Sequence, residues 1–169
     1  MANTYIAIAT VTVGSGGASS IDFTSIPGTY TDLCILYSAR SSDSATNWNN
    51  VKMTFNGSTA NQTWRFTAGY NNGTATAGIS GQVEIWVNFN GSTGSTFGNP
   101  LVYIPNYTSS NNKPVSIETV TEGKTQDQVM GIVAGLWSNS SAITSIGVTP
   151  SSGTFMQNTT ATLYGIKKN

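Results

Sequence analysis

Apolar and polar residues alternate along nearly the whole chain, the period that places successive side chains on opposite faces of a strand. Tyr5 to Val13 (YIAIATVTV) predicts the first strand, and SIDFTSIP the next, closed by a Pro27-Gly28 pair suited to a type II turn. Asp32 to Ala39 is apolar on both sides, with Leu33, Ile35 and Tyr37 on one and Cys34 and Leu36 on the other. Such a strand is expected to be central and covered on both faces. Val51 to Phe55 alternates cleanly, and QTWRFTAGY reads as the strand that returns from it. Gln82 to Phe89 puts Val83, Ile85, Val87 and Phe89 on one face and Glu84, Trp86 and Asn88 on the other. Pro100 to Tyr107, Pro114 to Val120, Gln128 to Trp137, AITSIGVTP and ATLYGIK continue the pattern. Gly131 and Gly135 share one face of their strand, which predicts a close neighbour or a bend.

The prediction is a single all-β domain, an antiparallel β-sandwich of about ten strands, with no helix. Tyr70 to Gly81 (YNNGTATAGISG) and Asn106 to Pro114 read as loops. The pentapeptide FNGST occurs twice, at Phe55 to Thr59 and Phe89 to Thr93, each time where a strand ends. The residues around the two copies do not repeat, so duplication is not supported. Each Asn-Gly pair is expected to supply the positive φ angles of a tight turn.

Composition changes the picture in one respect. Only 8% of the 169 residues are charged, and small polar residues replace them: 25 Thr, 21 Ser, 17 Asn and 18 Gly. With 38% hydrophobic residues, seven Tyr, six Phe and four Trp, the chain nevertheless has a core to bury. Seven basic and seven acidic residues leave no net charge, which removes the electrostatic footprint of a nucleic-acid binder. It also removes the self-repulsion that holds copies of a protein apart. The opening MANTYIAIATVTVG lacks the basic start of a secretory signal, and no stretch is apolar enough to span a membrane. Cys34 is the one cysteine and is expected to be a buried small hydrophobe.

Chemistry is scarce. There is no histidine, so His-based triads and the commonest metal ligand are absent, and one cysteine cannot build a zinc site. Glu118, Glu122 and Asp127 cluster in ETVTEGKTQDQ beside Lys124, but a solvated strand edge explains them better than a glycosidase pair or a calcium site. Catalytic, cofactor-binding and metal-binding residues are therefore expected to be none. The N-x-[ST] triplet occurs at Asn56, Asn61, Asn72, Asn90, Asn106, Asn139 and Asn158, and composition alone produces it in so Asn- and Thr-rich a chain. These read as unmodified turns.

The remaining lead is aromatic. Trp86 lies opposite the apolar stripe of its strand, and Trp48 and Trp64 sit among polar neighbours. Such rings serve as interface anchors or as platforms for a glycan. The plain alternative is that both faces of their strands are buried, one in the core and one against another layer.

The stretches IDFTSIPGTYTDLCILYSAR, FNGS, YIPNYTSSNNKPVSIETVTE and VAGLWSNSSAITSIGVTPSSGTFMQNTTATLYGIKK resemble a family of small virion structural proteins of tailed bacteriophages, marine and cyanobacterial phages in particular. The resemblance runs from about Ile21 to Lys167, and its most specific parts are the FTSIP–TYTDL corner, GLWSN and the closing TLYGIK. It implies a jelly-roll-like sandwich carried on the virion as a head decoration, head fibre or tail appendage, commonly a homotrimer. The partners it implies are further copies of the chain and capsid or tail proteins. No shaft or collagen-like repeat is present, a departure from long fibres that favours a compact decoration or tip. The expected function is structural and non-enzymatic, without cofactor, nucleic acid or membrane. The alternative is a carbohydrate- or receptor-binding module at a tail or fibre tip, touching a host surface glycan through Trp48, Trp64 and Trp86.

Overall fold

A computed structural model of the chain describes residues 4–44, 48–70, 73–122 and 128–167. The strands are β1 (Tyr5–Thr12), β2 (Ile21–Phe23), β3 (Asp32–Ser38), β4 (Asn49–Phe55), β5 (Gln62–Tyr70), β6 (Gly73–Ser80), β7 (Glu84–Val87), β8 (Leu101–Ile104), β9 (Lys113–Thr121), β10 (Val129–Trp137), β11 (Ile146–Pro150) and β12 (Thr160–Ile166). No helix occurs among the described residues. Two antiparallel sheets form a β-sandwich, a long one ordered β1-β12-β3-β8-β9-β10-β5-β6 and a short one ordered β2-β11-β4-β7.

The order follows from a doubled ribbon. β4 pairs with β7, β3 with β8, β2 with β11 and β1 with β12, all antiparallel. Successive pairs lie in alternate sheets, and the ladders β12–β3 and β11–β4 join them side by side. Two hairpins stand outside this ribbon: β5–β6, inserted between β4 and β7, and β9–β10, inserted between β8 and β11. Both add to the long sheet beyond β8, so that its eight strands extend past the edge of the four-stranded sheet.

Alternation puts Leu33, Ile35, Val102, Ile104, Ile117, Val133 and Leu163 of the long sheet against Ile21, Val51, Met53, Phe55, Ile85 and Val148 of the short one, all buried. Each such side chain contributes about 1.5–3 kcal/mol relative to exposure. Lys113 also points inward, fully buried, and its ammonium donates to the carbonyls of Asn111 and Asn139 at the sandwich end. Cys34 is buried as expected, and burial pushes its thiol pKa up.

Four expectations are corrected. The Tyr70 to Gly81 segment is largely strand: β6 pairs along its length with β5, although its Thr, Ala and Gly residues carry no apolar stripe. Leu36 is 44% exposed, because nothing covers the outward face of β3 at that position. Gly28 does not have a positive φ, so Pro27-Gly28 is not a type II turn. The two FNGST copies also differ. In the first, Asn56 (φ 53) and Gly57 (φ 70) form a two-residue turn closed by reciprocal Phe55–Ser58 hydrogen bonds. The second has no positive φ at Asn90 or Gly91 and instead wraps a guanidinium. Arg40, buried, donates to the carbonyls of Asn90, Ser92, Thr93 and Thr96. A planar fork is the side chain suited to gathering four acceptors on one loop. Of the seven N-x-[ST] asparagines, Asn56, Asn61, Asn106 and Asn158 sit at left-handed turn positions, and Asn72 lies outside the described residues.

Candidate functional site

The three tryptophans come together, but as a cleft and not as an exposed platform. Trp64 and Trp86 are buried (5% and 4% exposed), and Trp48 is half-buried. Trp86 has the outward parity read from the sequence, sharing it with Glu84 on β7. The overhang of the long sheet covers that face. Inward-facing Gly131 on β10 leaves room for the ring: a Cβ there would stand 2.3 Å from Trp86 Cζ3. Gly135 makes the same accommodation for Val83, with a Cβ 2.9 Å from Cγ2. The close neighbour expected from the two glycines is thus the edge strand of the short sheet.

Between the overhanging hairpin and the start of β4 lies a cavity of about 250 Å³ walled by Trp48, Trp64, Phe66, Tyr70 and Trp86, with Glu84 among its lining residues. Phe66 stacks on Trp64 at 5.4 Å and meets Trp86 edge-on at 5.2 Å. Trp48 and Tyr70 tilt together at 5.8 Å. The polar complement is small. Trp48 Nε1 donates to Asn50 Oδ1 at 3.2 Å. Glu84 lies opposite Lys52 in the β4–β7 ladder. Burial raises the Glu84 pKa, and the Lys52 charge pulls it back down. Among the described residues, buried Trp64 Nε1 has no hydrogen-bond partner.

Glu118 and Glu122 do not face each other across a cleft. They lie four positions apart on one extended run, about 13 Å between their Cα atoms, whereas a glycosidase sets its two carboxyl groups roughly 5–9.5 Å apart across one substrate. Glu118 is exposed on the outward face of β9. Glu122 accepts hydrogen bonds from the hydroxyls of Thr93 and Thr96, bracing the loop that Arg40 holds. Asp127 and Lys124 lie outside the described residues. Among the described residues no group of three or more His, Cys, Asp or Glu could hold a metal, and no helix is long and apolar enough to cross a membrane.

Sequence reasoning missed a second surface. The exposed large hydrophobics Tyr5, Leu36, Val120, Met130 and Ile132 all point outward from the long sheet, Met130 and Ile132 being 66% and 63% exposed. The signal was present in β10, where Met130, Ile132 and Leu136 alternate with Val129, Val133 and Trp137. Which apolar face met the core could not be read from one strand. A scan against protein-family models, a search of curated proteins and a search of solved structures each return no match.

Proposed function

We propose that this chain is a non-enzymatic structural protein of a bacteriophage virion, assembling as a homo-oligomer, a homotrimer in the simplest form, as a head decoration, head fibre or tail appendage. The observation that supports the self-assembly in this reading is the outward face of the long sheet. Six strands, β3, β8, β9, β10, β5 and β6, at about 4.8 Å spacing and with up to nine residues at about 3.3 Å, present on the order of 800 Å². That is about what each partner gives to a standard interface. Single exposed apolar residues need no explanation, but a row of them on one sheet face does.

Charge on this face suits another copy of the same chain. Its exposed strand charges among the described residues are Glu118 on β9 and Arg65 on β5. They flank β10, Glu118 level with Ile132 and Arg65 level with Ala134. A symmetry axis along β10, two-fold or three-fold, brings Glu118 of one copy toward Arg65 of the next and buries Met130 and Ile132 at the centre. The fold is compatible with this placement: with the two added hairpins set aside, β1-β12-β3-β8 faces β2-β11-β4-β7, which we read as a jelly roll, an architecture used by viral capsid domains and also by lectins. Fold alone does not assign function, and the virion assignment rests on the sequence resemblance. Negative-stain imaging of phage particles labelled against this protein tests it: regular labelling of head or tail is expected, and unlabelled particles would overturn the assignment.

A second reading, a carbohydrate- or receptor-binding module at a tail or fibre tip, is favoured by the convergence of Trp48, Trp64 and Trp86 on one cleft. Binding of the purified protein to host surface polysaccharide on a glycan array tests it, and an array without any binding would remove it.

A further inference from the structure

We infer that the aromatic cleft is a subsite for one neutral pyranose ring, held with a C–H face on the rings and its hydroxyls on Glu84. The inference rests on the carbohydrate-binding reading and names its site. Size sets the first limit. A cavity of about 250 Å³ falls just under the roughly 300–1,000 Å³ of pockets for drug-sized ligands. It therefore takes one ring and not a chain, so the sugar is a terminal or branching residue that enters from one side. The walls set the second. Trp48, Phe66 and Tyr70 are only partly buried and offer ring surface, whereas Trp64 and Trp86 form the closed floor.

The polar groups choose between ligand classes. A purely apolar ring would desolvate the Glu84 carboxylate without giving it a hydrogen bond, a costly exchange. An aromatic cage with one carboxylate would also suit an ammonium ion. Lys52 stands directly across the ladder from Glu84 and offsets part of its charge, which weakens the preference for a cation. A pyranose meets both demands, with an apolar C–H face for the rings and hydroxyl donors for the carboxylate. Burial of Glu84 strengthens such a bond, since a charge-assisted hydrogen bond is stronger in a drier setting.

Titration of the intact protein with a panel of methyl pyranosides at millimolar concentration, followed by tryptophan emission, tests this. Tetramethylammonium serves as the cationic control. At least one pyranoside is expected to shift the emission, and Glu84→Gln, close in shape and able to fold, is expected to weaken it by about tenfold or more. Trp48→Ala should weaken it as much. Neutralising Glu84 by acid should mimic Glu84→Gln, with affinity falling as pH drops through its raised pKa, and the variant itself should lack that dependence. No shift with any pyranoside, a response to tetramethylammonium alone, or binding unchanged in both variants would overturn the inference. If polysaccharide binds on the array while both variants bind it normally, the cleft is wrong and the carbohydrate reading stands. If the array is blank, the carbohydrate reading fails with it.

Discussion

Replacing Gly131 with alanine probes how the overhanging part of the long sheet meets the short one. The added Cβ would lie 2.3 Å from Trp86 Cζ3, 3.2 Å from Cε3 and 3.3 Å from the Ala68 Cβ. Carbon atoms in contact prefer about 3.5–4.0 Å, so the indole must retreat by more than about 1 Å. It has little freedom to do so, because Phe66 meets it edge-on at 5.2 Å and the Trp86 backbone is itself held, its carbonyl accepting from the Thr119 hydroxyl at 2.8 Å. Overpacking of this kind costs about 1–3 kcal/mol. Removing a glycine from a strand returns about 0.5–1 kcal/mol. An overlap as deep as 2.3 Å belongs at the upper end of that range, so the net loss is about 2 kcal/mol, a fall in melting temperature of roughly 4–8 °C for a chain of this length. A thermal melt followed by circular dichroism reads it directly. Shrinking the ring with Trp86→Phe should recover much of the Gly131→Ala loss, a coupling of about 1 kcal/mol in a double-mutant cycle. An unchanged or raised melting temperature in Gly131→Ala would show that Trp86 is not seated on β10.

Arg40→Met should cost about 2–4 kcal/mol, since it strips a charged donor from four loop carbonyls. Denaturant titration measures the loss, and proteolysis within 90–96 should quicken; a neutral result would refute the bracing role. Leu36→Asp should fold with a stability change of about 0.5 kcal/mol or less, whereas Leu33→Asp should not fold, and soluble expression with a melt separates the two. With no histidine, stability should be nearly flat between about pH 6 and 8, above which the buried Cys34 thiol, its pKa raised by burial, begins to cost stability as the unfolded thiol ionises. Burial raises the pKa values of Tyr37, Tyr103 and Tyr107. Their unfolded counterparts ionise near 10, so the unfolded state loses protons first. The contribution is whole below pH 10 and is lost as pH rises above it, and a pH series of melts showing a step between 6 and 8 would contradict this.

Much of the fold was legible because one face of each strand meets a core and period two records it. β9 alternates buried and exposed residues without a break from Lys113 to Thr121. β6 was not legible, since its support is a backbone ladder to β5 and its small side chains leave no stripe. Leu36 and Trp86 show the same difficulty from opposite sides. Parity told which face each occupied, but whether a second layer covers that face depends on residues far along the chain. Leu36 turned out bare and Trp86 covered. FNGST makes the point within one sequence: the same five residues form a tight turn where the chain is free to reverse, and an open loop where Arg40 supplies a centre to wrap. A lone arginine in LYSARSS carries no local sign of that role. Of the candidate site, the three tryptophans were legible as unusual, and their meeting with Tyr70, Phe66 and Glu84 was not, because it needs both inserted hairpins in place.

The most direct test of assembly through the long sheet is the solution mass of the protein beside that of Ile132→Glu, by size-exclusion chromatography with light scattering at micromolar concentration. The wild type should run as a closed oligomer, and the variant, with a charge added where the copies meet, as a folded monomer of 17.7 kDa with an unchanged melt below the assembly transition. A monomeric wild type, or an oligomer that Ile132→Glu leaves intact, would contradict it.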